Sequence, residues 1–224
     1  MREIVLDTET TGLDPKSGHR IVEIGCVELV NHMPTGETYH QYINPERDMP
    51  EEAFQVHGLS ETFLKDFPTF GEIADDFVTF LGDASLVIHN ASFDMGFINA
   101  ELKSAELETI DFDRATDTVA MARRKFPGAR ANLDALCQRF GVDNSGRDLH
   151  GAPLDARLLA DVYLELIGGR QPGLVLKSEQ QQKAESAAVD RAFREPRPHS
   201  ASEEEIATHK KFVEKLENAL WVAD

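Results

Sequence analysis

Ile4-Val5-Leu6-Asp7-Thr8-Glu9-Thr10-Thr11-Gly12 is the stretch on which the reading of this 224-residue chain turns. Three apolar residues of strand character run straight into two acids spaced two apart. Successive side chains of a β-strand alternate faces, so Asp7 and Glu9 project from the same side, roughly 6.6 Å apart at about 3.3 Å per residue. That separation suits a hard divalent cation. The pair alone is weak evidence, because 28% of the chain is charged and a solvated strand end would look the same. Thr10-Thr11-Gly12 adds hydroxyls and backbone donors in a turn, able to meet a nucleotide or simply to end the strand.

Outward from this stretch, strand patterns cover Glu3–Leu6, Arg20–Val30 and Glu37–Ile43, separated by the turn-rich 12–18 and 31–36. Short links between three strands point to an antiparallel meander. Helical periodicity follows over Phe70–Leu81, a buried strand over Leu86–Ile88, and helices over Phe93–Leu107, Thr118–Phe126, Leu133–Phe140 and Pro153–Ile167. Pro153 stands where a first-turn proline is tolerated. The succession predicts an α/β fold, a mixed sheet flanked by helices.

Two further polar clusters fall at element ends. His89-Asn90-Ala91-Ser92-Phe93-Asp94 joins the Leu86–Ile88 strand to a helix, and Asn90 or Ser92 would cap that helix in the structural reading. His150-Gly151-Ala152-Pro153-Leu154-Asp155 puts a histidine on a loop and an aspartate in a first helical turn, where the helix dipole favours the ionised carboxylate a metal needs. Each cluster has a structural explanation by itself. Together they place four acids and a histidine at three element ends, which the structural explanation must produce three times independently.

The bulk composition sets limits. A chain that is 41% hydrophobic can bury one substantial core, which predicts a globular domain over residues 1–170 and an appendage. No apolar run approaches the roughly 20 residues of a membrane-spanning helix, so no membrane partner is expected. Cys26 and Cys137 read as small buried residues in a reducing cytoplasm. The net charge is −17, and residues 1–170 hold 15 Lys plus Arg against 30 Asp plus Glu. Phosphate binding normally draws on a basic surplus, so attraction to nucleic acid would have to come from bound metal or from tethering to a partner that already grips it. Beyond Gly168-Gly169, residues 177–201 read as a flexible linker. Ser202–Trp221 reads as a short amphipathic helix capped by Ser202, with Ile206, Val213, Leu216 and Leu220 near one face. Such a helix has no core of its own: it either folds back on the domain or docks on a partner, and the linker before it favours the partner.

In order, spacing and flanking structure, Asp7-Thr8-Glu9-Thr10-Thr11-Gly12, His89-Asn90-x-x-Phe93-Asp94 and His150 followed five residues on by Asp155 resemble the three exonuclease motifs of the DEDDh family. The resemblance implies a ribonuclease H-like mixed five-stranded sheet and a 3′→5′ exonuclease using two Mg²⁺ or Mn²⁺ ions. It implies that Asp7 bridges both ions, that Glu9 and Asp155 hold the one that activates water, and that Asp94 supports the second through its water shell. An imidazole, with a reference pKa of about 6.5, can take the water proton near neutral pH, and the resemblance gives that task to His150. Asp7, Glu9, Thr10, Thr11, Gly12, Glu52, Val56, His57, Asn90, Phe93 and Asp155 would contact the terminal nucleotide of a single-stranded or frayed DNA 3′ end.

Glu52-Ala53-Phe54-x-Val56-His57-Gly58, Phe126-Pro127-Gly128, Leu133-Asp134-Ala135-Leu136-Cys137 and Glu204-Glu205-Ile206-Ala207-x-His209 look, more narrowly, like the proofreading exonuclease subunits of bacterial replicative polymerases. Pro153 and a short N-terminus depart from that pattern without touching the acids. This narrower resemblance implies removal of misincorporated nucleotides at the primer end, as a cytoplasmic component of the replisome. It also implies a sliding-clamp peptide at 171–176, carried by Gln171, Leu174 and Leu176. Ile206, Phe212, Val213, Leu216, Leu220 and Trp221, within 202–224, would dock on the polymerase catalytic subunit. Two other readings stand beside it: a stand-alone exonuclease acting on RNA ends or oligoribonucleotides, and a non-enzymatic module bridging polymerase and clamp.

Overall fold

β1 (Arg2–Thr10) is the middle strand of a five-stranded sheet in the computed structural model, which describes residues 1–146, 149–169 and 200–215. β2 (Ile21–Val30) and β3 (Met33–Tyr42) add antiparallel on one side, and β4 (Ser85–Ile88) and β5 (Ala115–Asp117) add parallel on the other. The resulting order is β3-β2-β1-β4-β5. The sheet is therefore mixed, as the sequence predicts.

The apolar run Ile4-Val5-Leu6 has no polar alternation because helices cover both faces of the strand. Ile4 and Leu6 join Phe70 and Phe77 of α3 (Phe70–Leu81) and Phe97 and Ile98 of α4 (Ala91–Ser104) in one core. Val5 and Val87 join the opposite core with Leu133 and Leu136 of α6 (Leu133–Phe140) and Leu159 and Val162 of α7 (Ala152–Ile167). Each such fully buried side chain contributes about 1.5–3 kcal/mol of transfer free energy. Cys26 and Cys137 are both buried and free of disulfides, as expected.

Several boundaries differ from the sequence reading. β1 runs four residues beyond Leu6, so Asp7 and Glu9 belong to the strand rather than to its frayed end. The 31–36 stretch contributes only a two-residue turn: Asn31 and His32 hold φ values of 52° and 66°, the left-handed pair that matches strand twist in a hairpin. The rest of the stretch lies in β3, whose register with β2 shifts between Val27 and Leu29. α1 (Glu51–His57), α2 (Glu61–Leu64) and the three-residue β5 carry too short an apolar pattern to be read from sequence. α5 spans Thr118–Lys125.

The chain divides into two units with their boundary between Leu174 and Val175. In the second, α8 (Glu203–Val213) opens on a capping box: Ser202 Oγ accepts from Glu205 N at 3.3 Å, and Glu205 Oε2 accepts from Ser202 N at 2.8 Å. Ile206 and Phe212 are exposed and Val213 is buried. The expected extension of this helix to Trp221, with Leu216 and Leu220, lies outside the described residues. So do the linker up to residue 199 and the clamp peptide with Gln171, Leu174 and Leu176. No helix among the described residues is long and apolar enough to cross a membrane.

Candidate active site

The carboxyl ends of the parallel pair β1 and β4, together with the first turns of α6 and α7, frame one cleft. Asp7, Thr8 and Glu9 come from β1, His89, Phe93 and Asp94 from the β4–α4 junction, Asn132, Leu133 and Asp134 from α6, and His150 and Asp155 from the start of α7. Strand alternation explains the division of labour within β1. Glu3 and Val5 face α7 and its core, and Asp7 and Glu9 continue that side. Thr8 faces the other way and meets α4: its N–H and its Oγ1 both donate to Asp94 Oδ1, at 3.1 and 2.7 Å.

α7 is held against the sheet by two residues of β2. Glu23 pairs across the ladder with Glu9, is buried, and its Oε2 accepts the Ala152 N–H at 3.0 Å. Its Oε1 stands 2.7 Å from His40 Nε2. Gly25, opposite Asp7, lets the helix approach: a Cβ there would lie 2.3 Å from the Ala152 carbonyl carbon. The loop before α7 is pinned from the other side, where His150 N–H donates to the Val56 carbonyl at 3.1 Å. Pro153 in the first turn donates no N–H and needs no partner there.

Oxygen and imidazole donors dominate the cleft. Five carboxylates (Asp7, Glu9, Asp94, Asp134, Asp155) and two histidines line it, and among the described residues no lysine or arginine does. Ligand atoms of Glu9, His150 and Asp155 lie within 4.8 Å of one another, an arrangement able to hold a metal ion, and His150 Nδ1 is 3.4 Å from Asp155 Oδ2. Asp94 is buried among these acids, and burial raises its carboxyl to about 7 against the opposing pull of the Thr8 hydroxyl. A divalent cation would reverse that burden by favouring the charged form. The donor set and the buried carboxyl both fit a metal site. His150 stands with Glu9 and Asp155 in the tight cluster, while Asp7 and Asp94 line the same cleft outside it.

A second cleft adjoins the first and shares Thr8, Glu9 and Phe93 with it. Its walls include Thr10, Thr11, Gly12, His19, Glu52, Val56 and His57. Sequence reasoning named all of these except His19. Thr10 Oγ1 donates to the Gly12 carbonyl, and Thr11 Oγ1 accepts the Arg20 N–H and lies 3.2 Å from His19 Nδ1, so both hydroxyls shape the turn. That turn is anchored by Arg20, whose guanidinium makes two 2.7 Å bonds to the buried Glu101. His57 is buried, Leu59 N–H donates to its Nδ1 at 3.0 Å, and burial lowers its pKa, which keeps the ring neutral with its proton on Nε2.

Asn90 lines neither cleft. It sits exposed at the cap position of α4 in a left-handed conformation, φ 70°, and makes no side-chain cap bond. Its N–H donates to Asp117 Oδ1 at 3.1 Å, which seats the turn that delivers Asp94. Neither Asn90 nor Ser92 therefore caps α4 as the sequence reading allowed. Residues absent from that reading are Thr8, His19, Glu23, Gly25 and Asp117. Glu23 and Gly25 left a signal: an acid and a glycine inside the otherwise apolar Ile21–Val27 strand ask for a buried partner and a close approach.

A family model described as Exonuclease matches residues 4–163. The chain belongs to that exonuclease family, and its ribonuclease H-like fold is shared with the solved nuclease domain of 3′hExo, a DEDDh family member bound to rAMP. That domain is 20% identical with a TM-score of 0.65, over 74% of this chain and 91% of the other. Exonuclease X in complex with 5′ overhanging duplex DNA is similar at 24% identity and a TM-score of 0.58, over 74% and 90%. Within the family the chain groups with the DNA polymerase III epsilon subunits, and it is a 3′→5′ exonuclease. It is 53% identical to the subunit from Rickettsia felis over 222 residues, 96% of this chain and 97% of that protein. To the subunit from Escherichia coli K12 it is 45% identical over 237 residues, 99% and 98%.

Proposed function

We propose that this exonuclease removes misincorporated nucleotides from the primer 3′ end, as the cytoplasmic proofreading subunit of a bacterial replicative DNA polymerase. One observation carries the chemistry: Asp7, Glu9, Asp94, His150 and Asp155 converge on one cleft that, among the described residues, no lysine or arginine lines, beside an adjoining second cleft. The similarity to epsilon subunits over nearly the whole chain carries the biological setting.

In this reading Asp7, Glu9, Asp94 and Asp155 hold two divalent ions, Mg²⁺ or Mn²⁺. When bound, these would lower the pKa of the attacking water and neutralise charge on the phosphate and the leaving 3′-oxygen. His150 accepts the water proton. Its 48% exposed side chain leaves room to reach the water, while Asp155 at 3.4 Å steadies the imidazolium that results. Thr8 fixes Asp94, and Glu23 and Gly25 fix the start of α7. Phe93, Val56 and the neutral His57 receive the terminal nucleotide, with Glu52, Thr10, Thr11 and Gly12 forming the surrounding wall and Asn90 acting through the α4 turn. The product is a nucleoside 5′-monophosphate. A terminal base must leave its stack to enter, and a mispaired base does so at lower cost, which makes fraying a source of selectivity.

Ile206, Phe212 and Val213 of α8, with Leu216, Leu220 and Trp221, are proposed to dock on the polymerase catalytic subunit, and Gln171, Leu174 and Leu176 on the sliding clamp. The exposure of Ile206 and Phe212 on a capped helix supports the first of these.

The test compares wild type with Asp7→Ala on 5′-labelled DNA and RNA strands, including a mispaired primer end, with Mg²⁺ or chelator. Metal-dependent shortening of DNA, faster at the mispair and slower by at least about 10³ in the variant, is expected if several kcal/mol of charge stabilisation is lost. Degradation of RNA alone, or failure of the full chain to co-elute with the polymerase catalytic subunit, would overturn the proofreading assignment.

A further inference from the structure

The acidity of this chain leaves open how it holds the strand it shortens, and its charges are not evenly spread. Residues 118–141 carry Arg123, Arg124, Lys125, Arg130 and Arg139 against the single acid Asp134, a net of +4, while the rest of residues 1–170 carry 10 basic and 29 acidic residues, a net of −19. The five cations sit at the corner between α5 and α6. Lys125 is committed there, its Nζ donating to the carbonyls of Glu165 and Leu166. Arg123, Arg124, Arg130 and Arg139 are exposed and make no ion pair among the described residues.

The corner is also shaped. The Arg139 guanidinium lies 4.5 Å from the centre of the Phe126 ring, which in turn packs on Phe140 at 5.8 Å. Arg130 and Arg139 line one depression together with Ala129, Ala135 and Gln138. Stacking holds Arg139 in place so that less side-chain freedom is lost when it meets an anion.

Its position decides between partners. Asn132, Leu133 and Asp134, the cap and first turn of α6, belong to the active-site cleft, and Arg130 stands two residues before them. Arg139 follows Asn132 by seven residues, roughly 10 Å along a helix at 1.5 Å per residue. That is about three steps of a stacked strand at 3.4 Å each. A polymer whose 3′ end occupies the acidic cleft has to leave across a neighbouring surface, and this one presents exposed cations that make no ion pair among the described residues.

We propose that the α5–α6 corner, where Arg130 and Arg139 share a depression beside Phe126 and Arg123 and Arg124 stand in the last turn of α5, binds the sugar–phosphate backbone of the single strand upstream of the nucleotide being removed. The proposal rests on the exonuclease reading of the cleft and adds to it a polyanion track that the cleft itself cannot supply.

The experiment uses the full chain with Mg²⁺ and two substrates, a deoxythymidine dinucleotide and a 12-nucleotide deoxythymidine strand, in 50 and 200 mM KCl. Arg130→Gln/Arg139→Gln is expected to leave kcat/KM on the dinucleotide unchanged and to lower it on the longer strand. Losing two phosphate contacts at about 0.7 each flattens the log–log salt dependence by about 1.4, a difference of roughly sevenfold across this fourfold change in salt. Arg130→Lys/Arg139→Lys should recover most of the loss. An equal loss on both substrates, or none on the longer strand, overturns the proposal; the second result would leave the corner to an acidic protein surface. Failure of the wild type on both substrates would instead count against the exonuclease reading.

Discussion

β1 carries buried acids at both of its ends, and they live in opposite circumstances. At the amino end Glu3 is 2% exposed, receives the Tyr163 hydroxyl at 2.7 Å, and stands 2.7 Å from His32 Nδ1. At the carboxyl end Asp7 and Glu9 meet Asp94 and Asp155, with His150 alone among them from the loop. The first acid takes a donor from its own protein; the second group gathers several carboxylates in one cleft that, among the described residues, no lysine or arginine lines. A buried carboxylate with a dedicated donor is part of the scaffold, whereas several carboxylates gathered in one cleft suit a cation that arrives from outside.

The comparison breaks if removing an acid from the crowded end fails to relieve the metal-free fold. Burial raises Asp94 from an ordinary 3.8 to about 7, so the unfolded chain gives up this proton at a lower pH than the folded one. Metal-free stability therefore falls as pH rises from about 4 to about 7 and stays lowered above that, by at most on the order of 4 kcal/mol at 1.36 kcal/mol per unit. In chelator, Asp94→Asn is expected to melt at nearly the wild-type temperature at pH 4.5 and above it at pH 8, and added Mn²⁺ should raise the wild type alone. A gap that stays constant with pH would show that Asp94 is not under this strain.

Gly25→Ala tests how closely the crowded end must be held. A Cβ at 2.3 Å from the Ala152 carbonyl carbon forces the start of α7, and with it His150 and Asp155, away from Glu9. A displacement of about 1 Å costs on the order of 10²-fold in kcat. Wild-type kcat in this variant would mean that the first turn of α7 can shift without consequence.

At the matched end the effect should fall on stability instead. Tyr163→Phe removes the donor to Glu3 and leaves a buried acceptor short of one bond, a loss of about 1–3 kcal/mol seen in denaturant melts. Its kcat should equal that of wild type. A drop in kcat with unchanged stability would erase the distinction between the two ends.

Much of this contrast was legible in the sequence, though only on one side. Asp7, Glu9, Asp94, His150 and Asp155 stand at three element ends, where each cluster alone has a structural explanation but the recurrence of all three, in the order and spacing of the motifs, singles them out. Glu3, two residues before the apolar Val5, looks like any surface acid, and only the tertiary approach of Tyr163, 160 positions later, makes it a buried one. Thr8 was overlooked because it lies between two acids and faces the other side of the sheet, towards a helix that begins 83 residues on. β5 and α1 escaped for a different reason: Ala115-Thr116-Asp117 and Glu51–His57 owe their form to neighbours rather than to any apolar period of their own. The basic corner was present as composition, but its meaning depends on α6 pointing its first turn into the cleft.

The long reach of the bonds around the cleft carries a consequence for the birth of the protein. Thr8 meets Asp94 across 86 positions and Glu23 meets Ala152 across 129. Synthesis proceeds from the amino end, so a ribosome that has released β1 to α6 has made all five strands, the first core and about half of the second but has not yet delivered His150 or Asp155. A nascent or prematurely ended chain of that length holds Asp7 and Glu9 without their counterparts. On the proposed roles of His150 and Asp155, cutting activity is expected only once about two thirds of the polypeptide has emerged.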